Sequence, residues 1–150
     1  MVDQLTLQIK NTFEAIPPAN DTASAWLAER GAPAEIQYFT NLAIEEFATN
    51  CIKYGYDDTK EHFIEVSLSL FKGELLMVIT DDGHPFDPLA APEPQLDLPA
   101  EERSIGGLGI YLVRKMSDRM EYKREGNKNR LKLRKEFRRP KATKPDALGS

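Results

Sequence analysis

The sequence predicts an α+β fold, a two-layer α/β sandwich in which a mostly antiparallel mixed sheet carries three helices on one face. Two observations predict it. Five short strand-like runs occur, and four of them form two neighbouring pairs joined by tight turns, the pattern of hairpins. Three helix-length segments separate the remaining pieces, giving the order β-α-α-β-β-loop-α-β-β. At 150 residues the chain reads as one domain with room for a real core.

Each element has a local cause. Residues 4–10 alternate, with Leu5, Leu7 and Ile9 on one side and Gln4, Thr6, Gln8 and Lys10 on the other, as in a half-buried strand. Pro17 and Pro18 read as a break, with Asp21 or Thr22 capping a helix that runs to about Arg30 before Gly31. Pro33 suits the first turn of the next helix, which runs to about Tyr54 and ends at Gly55. Ile64, Val66, Leu68 and Leu70 alternate with Glu65, Ser67 and Ser69. A Lys72-Gly73-Glu74 turn then leads into the apolar run Leu75–Thr80. A helix is expected from about Leu108 to Ser117, and a Gly126-Asn127 turn joins strands Met120–Glu125 and Lys128–Phe137. Residues 1–137 form the expected domain. Arg138–Ser150 lacks apolar periodicity and reads as a basic, disordered tail.

Composition narrows the function classes. The chain is 41 % hydrophobic, and no apolar run approaches the ~20 residues of a membrane span. The start Met1-Val2-Asp3-Gln4-Leu5 lacks the pattern of a secretory signal, and Cys51 alone forms no intrachain disulfide, so a cytoplasmic protein is expected. Two histidines and one cysteine do not build a His/Cys metal site, and a hard cation held by oxygens is the expected metal. The net charge is −4, yet residues 123–144 hold eleven Lys and Arg against Glu125 and Glu136. Such a run most often marks a solvated face, and no aromatic platform accompanies it, so direct nucleic-acid binding is not expected.

Three segments carry candidate chemistry. On the second helix, at roughly 100° per residue, Phe39, Leu42, Glu46, Asn50 and Lys53 fall within about 40° of one line, whereas Glu45 points elsewhere. The stripe begins apolar and ends polar, which suits either a solvated face or a shared cavity. In a cavity the Asn50 amide oxygen would ligate Mg²⁺ without adding charge, and Glu46 would deprotonate a hydroxyl. Next, Asp81-Asp82-Gly83 follows a strand directly. It is either an ordinary turn or a carboxylate fixed to accept from the exocyclic amine of adenine, with Gly83 allowing close approach. Last, Gly106-Gly107-Leu108-Gly109 opens the third helix, where unpaired N–H groups attract phosphate oxygens. The Gly-Lys-Ser/Thr ending of a Walker loop is missing. Between the last two segments, about His84 to Ile105, lie half of the ten prolines, and the stretch reads as a lid.

Taken together, Glu46-x-x-x-Asn50-x-x-Lys53-Tyr54, Asp81-x-Gly83-x-x-Phe86-Asp87 and Gly107-Leu108-Gly109-Ile110 resemble the Bergerat ATP-binding fold of gyrase, histidine kinases and MutL, over about residues 5–137. Asn50-Cys51-Ile52-Lys53-Tyr54-Gly55-Tyr56, Phe86-Asp87-Pro88 and Glu102-Arg103-Ser104 are most similar to the anti-sigma factor serine/threonine kinases of bacterial partner switching. The resemblance implies ATP and Mg²⁺, a homodimer, a sigma factor as binding partner and an anti-anti-sigma protein of the STAS fold as substrate. It makes Glu46 the general base, Asn50 the Mg²⁺ ligand and Asp81 the adenine reader, with Gly83 beside it. Gly107 and Gly109 would cradle phosphates, with Lys53 and Arg103 as further phosphate contacts. His84-Pro85 departs from the small or glycine-containing pair common in the second box.

Phosphoryl transfer needs positioning, Mg²⁺ and charge stabilisation, which these boxes supply. Two alternatives remain, a nucleotide-gated binding switch without catalysis and a detached histidine-kinase-like catalytic domain. A pure switch has no need of Glu46, and no helix upstream presents a phosphoacceptor histidine.

Overall fold

The computed structural model describes residues 3–90 and 107–137. The elements follow the expected order: β1 (Asp3–Lys10), α1 (Ile16–Glu29), α2 (Ala34–Tyr54), β2 (Phe63–Phe71), β3 (Glu74–Asp81), α3 (Gly107–Met116), β4 (Arg119–Glu125) and β5 (Lys128–Glu136). Short 3-10 turns at Phe13–Ala15 and Pro88–Ala90 complete them. The sheet order is β1-β2-β3-β5-β4, and each of the four pairings is antiparallel. The remainder of the proline-rich stretch expected to be a lid, and the expected tail, lie outside the described residues.

The register explains the core. Leu7, Val66, Ile79, Leu131 and Tyr122 form one continuous cross-strand row, and Leu5, Leu68, Met77, Leu133 and Met120 form the next. Both rows lie on the face buried by the helices, where Val66, Leu68, Met77 and Leu133 are at most 1 % exposed. Each helix buries an apolar stripe in the same cluster: Ala23 and Leu27 from α1, Ile36, Phe39, Ala43 and Ile44 from α2, Ile110 and Val113 from α3. A period of two on the sheet and of three to four on the helices is what such a two-layer core requires.

One local expectation is corrected. Pro17 and Pro18 do not break the chain ahead of a helix capped by Asp21 or Thr22. They sit in the first turn of α1, which already begins at Ile16. A first-turn proline loses no intrahelical hydrogen bond, because those N–H groups have no partner inside the helix. Thr22 bonds backward within the helix, its hydroxyl donating to the Pro18 carbonyl at 3.0 Å. The tight turns meet expectation: Lys72 and Gly73 have φ of 51° and 77°, and Gly126 has φ of 61°.

The outward face of the β4–β5 hairpin bears much of the basic run. Arg119 pairs with Glu121, Lys123 with Glu125 at 3.2 Å, and Arg134 with Glu74 at 3.0 Å. Neighbouring carboxylates thus pair with part of the strand charge on this exposed face.

Candidate functional site

A cavity of about 240 Å³ opens between the C-terminal end of α2, the end of β3 and the start of α3. Phe47, Cys51, Ile79, Ile110 and Leu131 give it an apolar floor, while Asn50, Asp81, Tyr122 and Asn129 supply its polar groups. Such a mix, mostly apolar with a few fixed polar groups, suits a flat heterocycle better than a small ion.

The polar groups arrive there by phase. Leu75, Met77, Ile79 and Asp81 all point inward from β3, so Asp81 is the last residue of a core row, at the open end of the sheet. Its register partner Asn129 likewise continues the inward row Leu131, Leu133 and Lys135 of β5. Asp81 Oδ1 accepts from the Gly83 N–H at 2.8 Å and from the Asn129 amide at 2.9 Å. Both donors act on one oxygen, which fixes the carboxylate plane and leaves Oδ2 with accepting capacity.

Asn129 binds the loop on several sides. Its amide nitrogen also donates to the His84 carbonyl at 2.7 Å, while its oxygen accepts from the Phe86 N–H and the Tyr122 hydroxyl. Arg124, in phase with Met120 and Tyr122, donates to the Gly83 carbonyl at 2.7 Å. The hairpin thereby holds the Asp-x-Gly loop from below. Gly83 itself is buried, and a Cβ there would meet the Gly55 carbonyl oxygen at 2.8 Å, so only glycine fits. The His84 N–H donates to that carbonyl at 2.8 Å, joining the loop to the end of α2.

On α2 the predicted stripe runs from core to site to solvent. Phe39 is buried, Leu42 partly so, Glu46 and Asn50 are half-buried, and Lys53 is exposed. The Glu46 carboxylate lies directly against Gly109, where a Cβ would overlap it. Burial raises its pKa above the ordinary carboxylate value, helped by the charge of Glu45, while Lys53 partly opposes the rise. Gly107 and Gly109 open α3. At its far end Lys135 is buried and donates to the Met116 carbonyl at 2.8 Å, fixing that helix terminus to the sheet. Arg103 and Gly106 lie outside the described residues.

Of the predicted residues, Asn50 and Asp81 line the cavity, Gly83 packs behind it against the lining residues Gly55 and Asp81, and Glu46 meets Gly109. Lys53 does not line it. Sequence reasoning missed Asn129, Tyr122 and Arg124, which inward phase along the hairpin would have flagged. It also missed Cys51 as a wall residue and Tyr54 and Phe86 as half-exposed aromatic rings at the mouth. The Cys51 thiol pKa is pushed up to about 12, mainly by burial, so it acts as a small apolar wall and not as a nucleophile. Among the described residues no group of three or more His, Cys, Asp or Glu is placed to hold a metal ion, and no helix is long and apolar enough to cross a membrane.

Residues 9–135 match the histidine kinase-like ATPase domain family. The serine-protein kinase RsbW of Bacillus velezensis is 25 % identical over 124 residues, 78 % of this chain and 76 % of that protein. The serine/threonine-protein kinase BtrW of Bordetella bronchiseptica is 25 % identical over 100 residues, covering 67 % of this chain and 70 % of that one. Among solved structures, that of the RsbU and RsbW domains of a Mycobacterium tuberculosis protein aligns with a TM-score of 0.66 at 20 % identity. The alignment covers 92 % of this chain and 33 % of the other, so this chain spans a third of that protein's length and shares its fold there.

Proposed function

The chain belongs to the histidine kinase-like ATPase domain family, and within it we propose an ATP-dependent serine/threonine protein kinase that phosphorylates a STAS-fold anti-anti-sigma protein and sequesters a sigma factor. Kinases resembling this chain over three quarters of their length support the reading. The observation that carries it is the contact of Glu46 with Gly109, which sets a carboxylate of raised proton affinity against the glycine turn that opens α3.

The cavity suits ATP. Asp81, with Oδ1 already committed, would accept from the adenine amine through Oδ2, and the apolar floor would hold the ring. Gly107 and Gly109 would offer backbone N–H groups to phosphate oxygens at the start of α3. Asn50 would contribute one oxygen to Mg²⁺. With no group of three or more His, Cys, Asp or Glu placed to hold a metal ion among the described residues, phosphate oxygens and water would complete the shell. Lys53 and Arg103 are assigned as further phosphate contacts. Bound Mg-ATP supplies the phosphoryl group and the charge that offsets its transfer. Glu46 would take the proton of the partner's hydroxyl as its oxygen bonds the γ-phosphorus and the bond from that phosphorus to the β,γ-bridging oxygen breaks, with ADP as the leaving group. A homodimer in the cytoplasm completes the proposal.

The test is incubation of the chain with labelled ATP, Mg²⁺ and a STAS-fold partner, beside Glu46→Ala. An acid-stable phosphoprotein that forms with the wild type and is lost in the variant, with nucleotide binding retained, supports the kinase. Nucleotide binding without any phosphoprotein points to a binding switch instead. An acid-labile product points to a histidine phosphate.

A further inference from the structure

Both histidines of the chain lie in one seam, between the segment that follows α2 and the loop that follows β3. His84 Nε2 is 3.1 Å from Asp57 Oδ2 at the surface. His62 is more enclosed, with 15 % of its side chain exposed, and a carboxylate stands at each ring nitrogen. Nε2 is 2.8 Å from Asp58 Oδ1, and Nδ1 is 3.2 Å from both oxygens of Asp82. The ring stacks on Tyr56 with centroids 4.0 Å apart, and the Tyr56 hydroxyl donates to Asp82 Oδ1 at 3.2 Å. The His62 N–H donates to the Asn11 side-chain oxygen and the His62 carbonyl accepts from the Asn11 N–H, which anchors His62 from β1's side. The remaining charged and titratable groups nearby are Lys60, whose N–H donates to Asp58, the Lys10–Glu61 pair, and Asp81 and Cys51 behind Tyr56.

A neutral imidazole has one N–H and one lone pair. Between two carboxylates it satisfies one and repels the other, so only the imidazolium closes both contacts. The hydrogen bond to Asp58 holds the His62 pKa above its ordinary value, against partial burial, and that to Asp82 adds to it. Asp82 adjoins Asp81, and the Gly83 N–H that follows is bonded to Asp81. A displacement of Asp82 is therefore felt by the carboxylate in the cavity.

We propose that His62 is a positioning residue for nucleotide binding: its imidazolium fastens Asp82, which presets Asp81 and Gly83, and loss of that proton loosens the loop and weakens binding. The proposal rests on reading the cavity as a nucleotide site. Linkage is reciprocal, so bound nucleotide must in turn favour the protonated ring.

The experiment is calorimetric titration of the full chain with Mg-ADP from pH 6 to 9, in pairs of buffers with different ionisation heats. The His62 ring resonance is followed by NMR with and without saturating Mg-ADP. Affinity is expected to fall roughly three- to tenfold as pH rises, which corresponds to an upward shift of the His62 titration by about half a unit to one unit on binding. His62→Gln is expected to flatten that profile, and Asp58→Asn to move its midpoint to lower pH. An unchanged slope in His62→Gln, or a His62 titration unmoved by Mg-ADP in the wild type, overturns the proposal. The NMR measurement decides it even should the variant not fold. Binding that is flat in pH overturns the proton link alone, whereas a folded wild type that binds no Mg-ADP at any pH overturns the nucleotide reading itself.

Discussion

At the scale of the residue, the site depends on carboxylates in unlike surroundings. Asp81 is held by two donors on one oxygen, so its recognition of adenine would rest on a charge-assisted bond through the other. Asp81→Asn removes that charge and is expected to weaken Mg-ATP binding by about 1.5–3 kcal/mol, roughly ten- to a hundred-and-fiftyfold. Unchanged affinity by calorimetry would remove Asp81 from the site. Glu46 lies at the opposite extreme. Burial raises its proton affinity, so in the folded state its ionised form is disfavoured relative to the unfolded chain. A carboxyl whose pKa is raised on folding lowers stability above that value, and stability returns as pH falls through it. Glu46→Gln should therefore raise the melting temperature at neutral pH while abolishing phosphoryl transfer. A variant melting below wild type would show that the attraction of Lys53 outweighs the cost of burying the carboxylate. Such opposition of stability and activity is common where a base must be kept partly desolvated.

At the scale of the element, the β4–β5 hairpin does more than extend the sheet. Its inward row ends in Asn129, which ties Asp81, His84, Phe86 and Tyr122 together, while Arg124 grips the Gly83 carbonyl. Asn129→Ala leaves several of these groups without partners in a water-poor site. It is expected to cost about 2 kcal/mol, a drop of roughly 4–8 °C in melting temperature, with weaker nucleotide binding besides. A fall in stability with intact affinity would confine Asn129 to a structural role. The same hairpin shows what was legible. Its Gly126-Asn127 turn and its strands could be read directly, because turn chemistry and a period of two are local properties. The role of Asn129 was also present in the phase of Leu131 and Leu133, but a polar residue on an inward row becomes meaningful only once register sets it opposite Asp81. Pro17 and Pro18 misled for the converse reason. Two prolines interrupt a helix everywhere except at its start, and where α1 starts is decided by Ile16, Ala19 and Ala23 reaching the core.

At the scale of the whole molecule, the three motifs converge because each ends an element at the same edge of the sandwich: α2 closes at Tyr54, β3 at Asp81, and α3 begins at Gly107. Order and spacing made that convergence legible, whereas the seam that fastens it was not, since Asp58 and His62 belong to no motif and Asp82 is only the unspecified position of Asp81-x-Gly83, twenty residues beyond His62. The contribution of this seam to stability depends on pH. Asp58 titrates below its ordinary value through its bond to His62. Burial would raise Asp82, but hydrogen bonds from His62 and Tyr56 outweigh it and hold that carboxyl low as well. Groups with lowered pKa contribute stability above their ordinary value near 3.8, which is lost as pH falls through the folded value. His62, with a raised pKa, contributes fully below its ordinary 6.5 and loses that contribution as pH rises through the folded value. The seam is therefore strongest from about pH 4 to 6.5, between those two limits. Thermal unfolding of the wild type should show a higher melting temperature at pH 6 than at pH 8.5. In His62→Gln the value at pH 6 should drop and the difference between the two pH values should shrink. An equal difference in both proteins would assign the pH dependence to groups elsewhere in the fold.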